Sequence, residues 1–334
     1  MLEDERYKKD LKFVEDTKKI FIKTYNELER KINTWFKRLA DNNGISTQEA
    51  KRLLSSNELK EFKWTLEEYI EKGRANAVNQ QWIKQLENAS ARVHISKLVQ
   101  MQIELRAEIE EFAAEYNNVL TEFIESEIYT EQFYMTAFNV AVGTNIGVAM
   151  DVVDTVKLKQ LINKPWAPDG YTFSERIWRD KEKFINKLQL QLSQSLALGE
   201  GPEKTVSALY TDFKSENSKY QLRRVVMTES AFFASTAQGD AFKELDVEHY
   251  EILATLDSRT SKICQELDGD IFDMKEYQVG ATAPPFHPFC RSVTMPYFDD
   301  DDDYSERIAR DRDGEVFYVP GNMKYDEWKE KFLK

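Results

Sequence analysis

Soft metal ligands and thiols are scarce in this chain. Its 334 residues include two cysteines and three histidines, so thiol or metal chemistry has few places to reside. Two cysteines do not make a disulfide framework. Long apolar runs are also missing, and no segment reaches the roughly 20 residues that a membrane-spanning helix needs. The least charged stretch, residues 138–150, is short and contains Gly143, Asn145 and Gly147. The start, Met1-Leu2-Glu3-Asp4-Glu5-Arg6, lacks the apolar core of a signal peptide. Positive charge is in deficit, and a net charge of -13 argues against general attraction to nucleic acid or anionic lipid. A local basic patch stays compatible with that balance. Together these absences predict a soluble protein, made in a reducing cytoplasm, with no membrane partner.

What is present is mostly helical periodicity. The length predicts two domains, or one domain with a long helical extension. Leu11, Val14, Phe21, Tyr25, Leu28, Ile32 and Trp35 recur at helical spacing until Asp41-Asn42-Asn43-Gly44 ends the run. Capping boxes follow at Ser46/Glu49 and Ser55/Glu58, opening a helix with Phe62, Leu66 and Tyr69 that Gly73 stops. A longer stripe, Leu98, Met101, Leu105, Ile109, Phe112 and Tyr116, predicts helix from about residue 90 toward 128, with a core or pairing seam. Lys164-Pro165-Trp166-Ala167-Pro168-Asp169-Gly170 interrupts the helices. Helix resumes near Ser174, breaks at Gly199-Glu200-Gly201 before Pro202, and returns over residues 220–233.

After Asp240 the period changes. Tyr250, Ile252, Ala254 and Leu256 alternate with Glu251, Leu253 and Thr255, the pattern of a half-buried strand. Ile271-Phe272 and Val293-Thr294-Met295 are its candidate partners. The fold class predicted is α+β: a long, mainly helical arm or bundle over 1–165, then a small α+β domain over 172–298 with helices against a short antiparallel sheet. Residues 299–334 form an acidic linker and short tail. Asp299 to Asp303 repel one another, while Val316 to Pro320 predict an edge strand and residues 325–332 a terminal helix.

Chemistry concentrates between Tyr250 and Tyr297, which hold both cysteines and one histidine. Cys264, His287 and Cys290 are candidate zinc ligands. Zinc wants a fourth, for which Asp257 or Asp268 is nearest in sequence. The competing reading buries both cysteines as small apolar groups, with Pro284, Pro285 and Pro288 stiffening a crossing segment. Arg223 or Arg224 could pair with Glu229, and Gly269 suits a turn. His287 with Asp257 or Glu229 could act as acid and base, or Cys290 as nucleophile. No oxyanion hole or phosphate loop accompanies them, so catalysis is not expected.

The order of these pieces resembles the phage head morphogenesis family, which includes phage Mu F-like and SPP1-type minor head proteins. The matching residues are Arg224-Val225-Val226-Met227-Thr228-Glu229, then Leu256-Asp257-Ser258-Arg259-Thr260, then Leu267-Asp268-Gly269 with Phe272. Ala283-Pro284-Pro285-Phe286-His287-Pro288-Phe289-Cys290-Arg291 completes the set. The family often has cysteine where Ser261 and Ser292 stand here, which removes two soft ligands. The resemblance implies a minor capsid protein of a tailed phage or prophage, made in the bacterial cytoplasm and carried in the virion head. Its implied partners are the portal protein, the major capsid or scaffolding protein and, transiently, phage DNA. Asp257, Arg259, His287 and Cys290 would then stabilise a docking domain. No resident cofactor is implied unless the Cys/His set holds zinc.

Overall fold

The structure is a computed structural model that describes residues 2–43, 97–144, 152–167, 169–197, 207, 216–298 and 306–332. The capping boxes at Ser46/Glu49 and Ser55/Glu58, the break at 199–202, Pro168 and the acidic run 299–303 lie outside the described residues. The α+β class predicted from periodicity is the one observed: among the described residues, long helices come first and short antiparallel strands follow. The chain packs as two compact units, each gathered from separated segments.

One unit comprises residues 13–119 and 173–222. It takes most of α1 (Leu2–Asn43) and α2 (Lys97–Glu122), all of α5 (Phe173–Ala197), and the start of α6 (Glu216–Glu244). Part of the stripe read from sequence forms its core, and the side chains of Trp35, Leu98 and Met101 lie outside the described residues. Val14, Tyr25, Leu28 and Ile32 of α1 are buried, as are Leu105, Ile109 and Tyr116 of α2. Phe21 meets Phe112 edge to face at 4.5 Å. Inside this core Lys181 Nζ lies 2.7 Å from Glu110, with both side chains 2% exposed. Two charges can be held so far from water only as a pair, because either one alone would carry its full desolvation cost.

The other unit comprises residues 1–12, 120–172 and 223–334. Here α2 runs through a π-helical turn (Phe123–Thr130) into α3 (Glu131–Thr144). The Thr130 hydroxyl donates to the Glu125 carbonyl, five residues back, within that wider turn. A short helix, α4 (Thr155–Ile162), begins at Asp154, whose carboxylate accepts from the amides of Val156 and Lys157. Periodicity alone did not predict it. The Lys164-Pro165-Trp166 interruption is anchored instead of loose: Trp166 stacks on Phe232 of α6 at 4.3 Å, and its indole N–H donates to buried Glu229.

The sheet has the order β2-β1-β3, from β1 (His249–Leu253), β2 (Ile271–Asp273) and β3 (Val293–Tyr297), all antiparallel. Tyr250 pairs with Phe272 on one side and Pro296 on the other. Proline is tolerated there because β3 is an edge strand. Tyr250 and Ile252 pack with Phe242 of α6 and with Tyr277. Gly239 makes this approach feasible, since a Cβ at that position would lie 2.4 Å from the Tyr277 ring. Tyr277 then donates its hydroxyl hydrogen to the Ser235 carbonyl at 2.8 Å.

Beyond the acidic run, β4 (Arg307–Arg310) pairs with β5 (Val316–Val319), and α8 (Tyr325–Phe332) follows. The strand predicted at 316–320 therefore has a partner that sequence reading overlooked. Ala309, Val319, Met323, Tyr325 and Trp328 close over Leu256, and Trp328 is fully buried. Between β1 and β2, α7 (Lys262–Glu266) is a short helix capped by Ser261.

Candidate functional site

Three local devices bring the soft ligands together. Ser261 ends the loop after β1 and caps α7, which points Cys264 inward. His287-Pro288-Phe289-Cys290 forms a tight turn closed by the Cys290 amide donating to the His287 carbonyl at 3.1 Å. Proline at the second position and positive φ at the third are the pattern of a type II turn. Phe289 occupies that third position with φ 61°, where glycine would be unstrained. Its amide donates to Thr228 of α6 at 3.4 Å, which ties the turn to that helix.

The result is a compact donor cluster: Cys264, His287 and Cys290, with all ligand atoms within 4.8 Å of one another. The two sulfurs are 3.7 Å apart, and Cys264 Sγ is 3.2 Å from His287 Nε2. Tetrahedral zinc with ordinary bond lengths sets sulfur–sulfur edges of about 3.8 Å and sulfur–nitrogen edges of about 3.6 Å. His287 Nδ1 faces the Pro288 carbonyl at 2.8 Å. That contact favours the proton on Nδ1 and leaves the Nε2 lone pair toward the sulfurs, as metal-binding histidines require. These residues could hold zinc. They supply three of its four positions, and Ser261 Oγ, 2.8 Å from Nε2, is an oxygen at the same place.

Electrostatics agree with ligand character. Hydrogen bonding from Cys290 pulls the Cys264 thiol down to about 4, against the opposing effect of burial. His287 and the hydroxyls of Ser261 and Ser292 push the same way. Cys290 is pushed up by its bond to Cys264 and by burial, so the pair keeps one proton between them. The hydrogen bond with Cys264 raises His287, against the opposing effect of burial. Ser261 and Ser292, the two positions where the resembled family often carries cysteine, thus both bear on Cys264.

The acids predicted as a fourth ligand have other duties. Asp257 is held by Arg291, whose Nη2 lies 2.8 Å from Oδ1 while Nη1 serves Oδ2. The same carboxylate accepts from the Arg259 amide and the Thr260 hydroxyl. Burial pushes its pKa up, but these bonds and the Arg291 charge outweigh burial and hold it below the usual carboxylate range. Asp257 is absent from the donor cluster. Asp268 accepts from the amides of Ala254 and Tyr325, each at 2.7 Å, and is bridged by Arg307. Gly269 turns at φ +80° and donates to Ile252 of β1.

Of the other predicted residues, Glu229 serves Trp166, and Arg223 donates to the Tyr7 hydroxyl at 2.7 Å. Arg224 is exposed. Pro284 and Pro285 are buried and Pro288 is exposed, so the first two line the core and the third forms the turn. Sequence reading missed Arg307, which has no motif around it beyond the alternation of Arg307-Ile308-Ala309-Arg310. No helix among the described residues is long and apolar enough to cross a membrane.

All three thiol and imidazole donors, both structural carboxylates and the helix carrying Thr228 and Glu229 fall within one stretch of sequence. No curated protein and no solved structure matches the chain. Residues 186–295, about a third of its length, match the family described as Phage Mu protein F like protein.

Proposed function

We propose that this chain is a minor structural protein of a tailed-phage or prophage head, of the SPP1-type minor head class, that associates with the portal vertex during assembly. The single observation that carries the reading is the family match over residues 186–295, which takes in the whole Cys/His cluster and its supporting carboxylates. The portal protein is the first partner, with the major capsid or scaffolding protein beside it, and the protein aids DNA packaging or delivery. It assembles in the bacterial cytoplasm and ends in the virion.

A role without turnover fits the chemistry of the site. Cys264 and Cys290 are each 2% exposed, which keeps a substrate from either sulfur. Of the carboxylates that could serve as acid or base, Asp257 is fixed by Arg291 and Glu229 accepts from the Trp166 indole. Under this reading, zinc or the paired thiols cross-link the loop after β1 to the His287–Cys290 turn and hold a docking surface in shape.

Co-expression with the portal protein encoded nearby, followed by size-exclusion chromatography with mass determination, tests the assignment. A stable complex is expected. Elution of the chain alone at monomer mass, with portal present in excess, would overturn portal association.

A further inference from the structure

Beside the donor cluster lies a cleft of about 460 Å³ that the proposed function does not use. The first turns of α1, the start of the α6 segment in this unit, the Asp257–Thr260 loop, the His287–Cys290 turn and β4 all contribute walls. Five arginines line it against two aspartates, in a protein whose overall charge is -13. Such a concentration of one sign inside a concave wall focuses potential well beyond what the net charge suggests.

The arginines differ in how far their charge is already satisfied. Arg310 pairs with Asp4, Arg6 with Asp10, and Arg291 with Asp257 behind the wall. Arg223 and Arg259 are different. Among the described residues Arg223 makes no ion pair: its guanidinium donates to a neutral phenol, Tyr7, and its buried Nε has no partner. Arg259 is 74% exposed, and its nearest carboxylate, Asp257, is 3.9 Å away and already engaged by Arg291. One uncompensated guanidinium therefore sits partly buried in the cleft and another at its open side.

From this arrangement we infer that the cleft is a binding site for a phosphate group, with Arg223 and Arg259 as its principal donors. Planar guanidinium forks match phosphate oxygens in pairs, and a partly desolvated arginine contributes more than a surface lysine would. The group could belong to free phosphate or a nucleotide, or to the phosphodiester of a nucleic-acid strand. Because the positive region is confined to one cleft, a strand would be gripped at about one or two phosphates, with a correspondingly shallow salt dependence. The inference is independent of portal association.

Isothermal titration of the full chain with inorganic phosphate, and fluorescence anisotropy with a labelled oligothymidylate, test it. Binding of at least one probe is expected, weakened about tenfold by Arg259→Met and abolished by Arg223→Met with Arg259→Met. Phosphate competing with oligothymidylate assigns the strand as a source, and phosphate binding alone assigns the free ion. Arg259→Met carries the test should the double variant fail to fold, since that side chain is mostly in solvent. The site is overturned if neither probe binds, if Arg259→Met binds as the parent does, or if only an acidic peptide such as hexa-aspartate is held.

Discussion

Asp257 and Asp268 carry the same charge as any surface acid, yet each is surrounded by donors: two backbone or hydroxyl groups and an arginine apiece. Removing one such carboxylate leaves a largely desolvated guanidinium without its counter-charge. Breaking a fully buried pair in this way costs about 3–5 kcal/mol. Arg291 is 23% exposed, so Asp257→Asn should cost less, about 2 kcal/mol. Because the folded pKa of Asp257 is depressed, its contribution is complete above about pH 4 and is lost as acid titrates the carboxylate. The thiols form a separate cluster, and one experiment distinguishes them. Elemental analysis of purified protein should give about one zinc per chain, falling below half in Cys264→Ser or Cys290→Ser. Asp257→Asn should keep its zinc while melting earlier. Parent protein with less than half an equivalent after mild purification would remove the metal and leave two buried thiols.

At the scale of elements, the sheet was legible and its surroundings less so. Tyr250 and Ile252 are buried because one face of β1 meets α6, while Ala254 and Leu256, past the strand's end, continue the alternation against the cysteines and the tail. Cys264, His287 and Cys290 were legible for a similar reason, since scarcity made them conspicuous. The carboxylate partners were not. Arg291 lies 34 residues from Asp257 and Arg307 lies 39 from Asp268, and no local spacing rule reports such distances. Asp257 or Asp268 therefore reads as a fourth zinc ligand from sequence, whereas the structure groups only Cys264, His287 and Cys290. Strand β4 was missed because its four residues carry two arginines, whereas its role is to place Ala309 against Leu256 and Arg307 against Asp268. The tail is thus structural. Trp328→Ala removes a fully buried indole and should destabilise the protein by about 3–5 kcal/mol. Chemical denaturation read from the sheet-bearing unit would show it; an unchanged midpoint would mean the tail folds without supporting β1.

For the whole molecule, the important fact is that the matched region is not a free-standing body. Residues 186–222 belong to one compact unit and 223–295 to the other. Within the second unit, Trp166 covers Phe232, Tyr129 donates to Asp240, Arg6 reaches Ser230 and Trp328 closes over Leu256. All four contacts come from outside residues 186–295. A fragment spanning that stretch alone should therefore lack a cooperative thermal transition, whereas the full chain shows one. A sharp transition in the fragment would show that the flanking segments decorate a self-sufficient core.

The Arg6–Ser230 and Asp4–Arg310 contacts join residues separated by 224 and 306 positions. A ribosome adds about 5–20 residues each second, so the opening turns of α1 wait on the order of 15–60 seconds before Arg310 exists. During that interval Arg6 and Asp10, buried in the finished protein, are exposed to the cell on a nascent chain. The unit that holds the Cys/His cluster consequently cannot close until Arg310 has been made, and any partner that reads its finished surface waits at least that long.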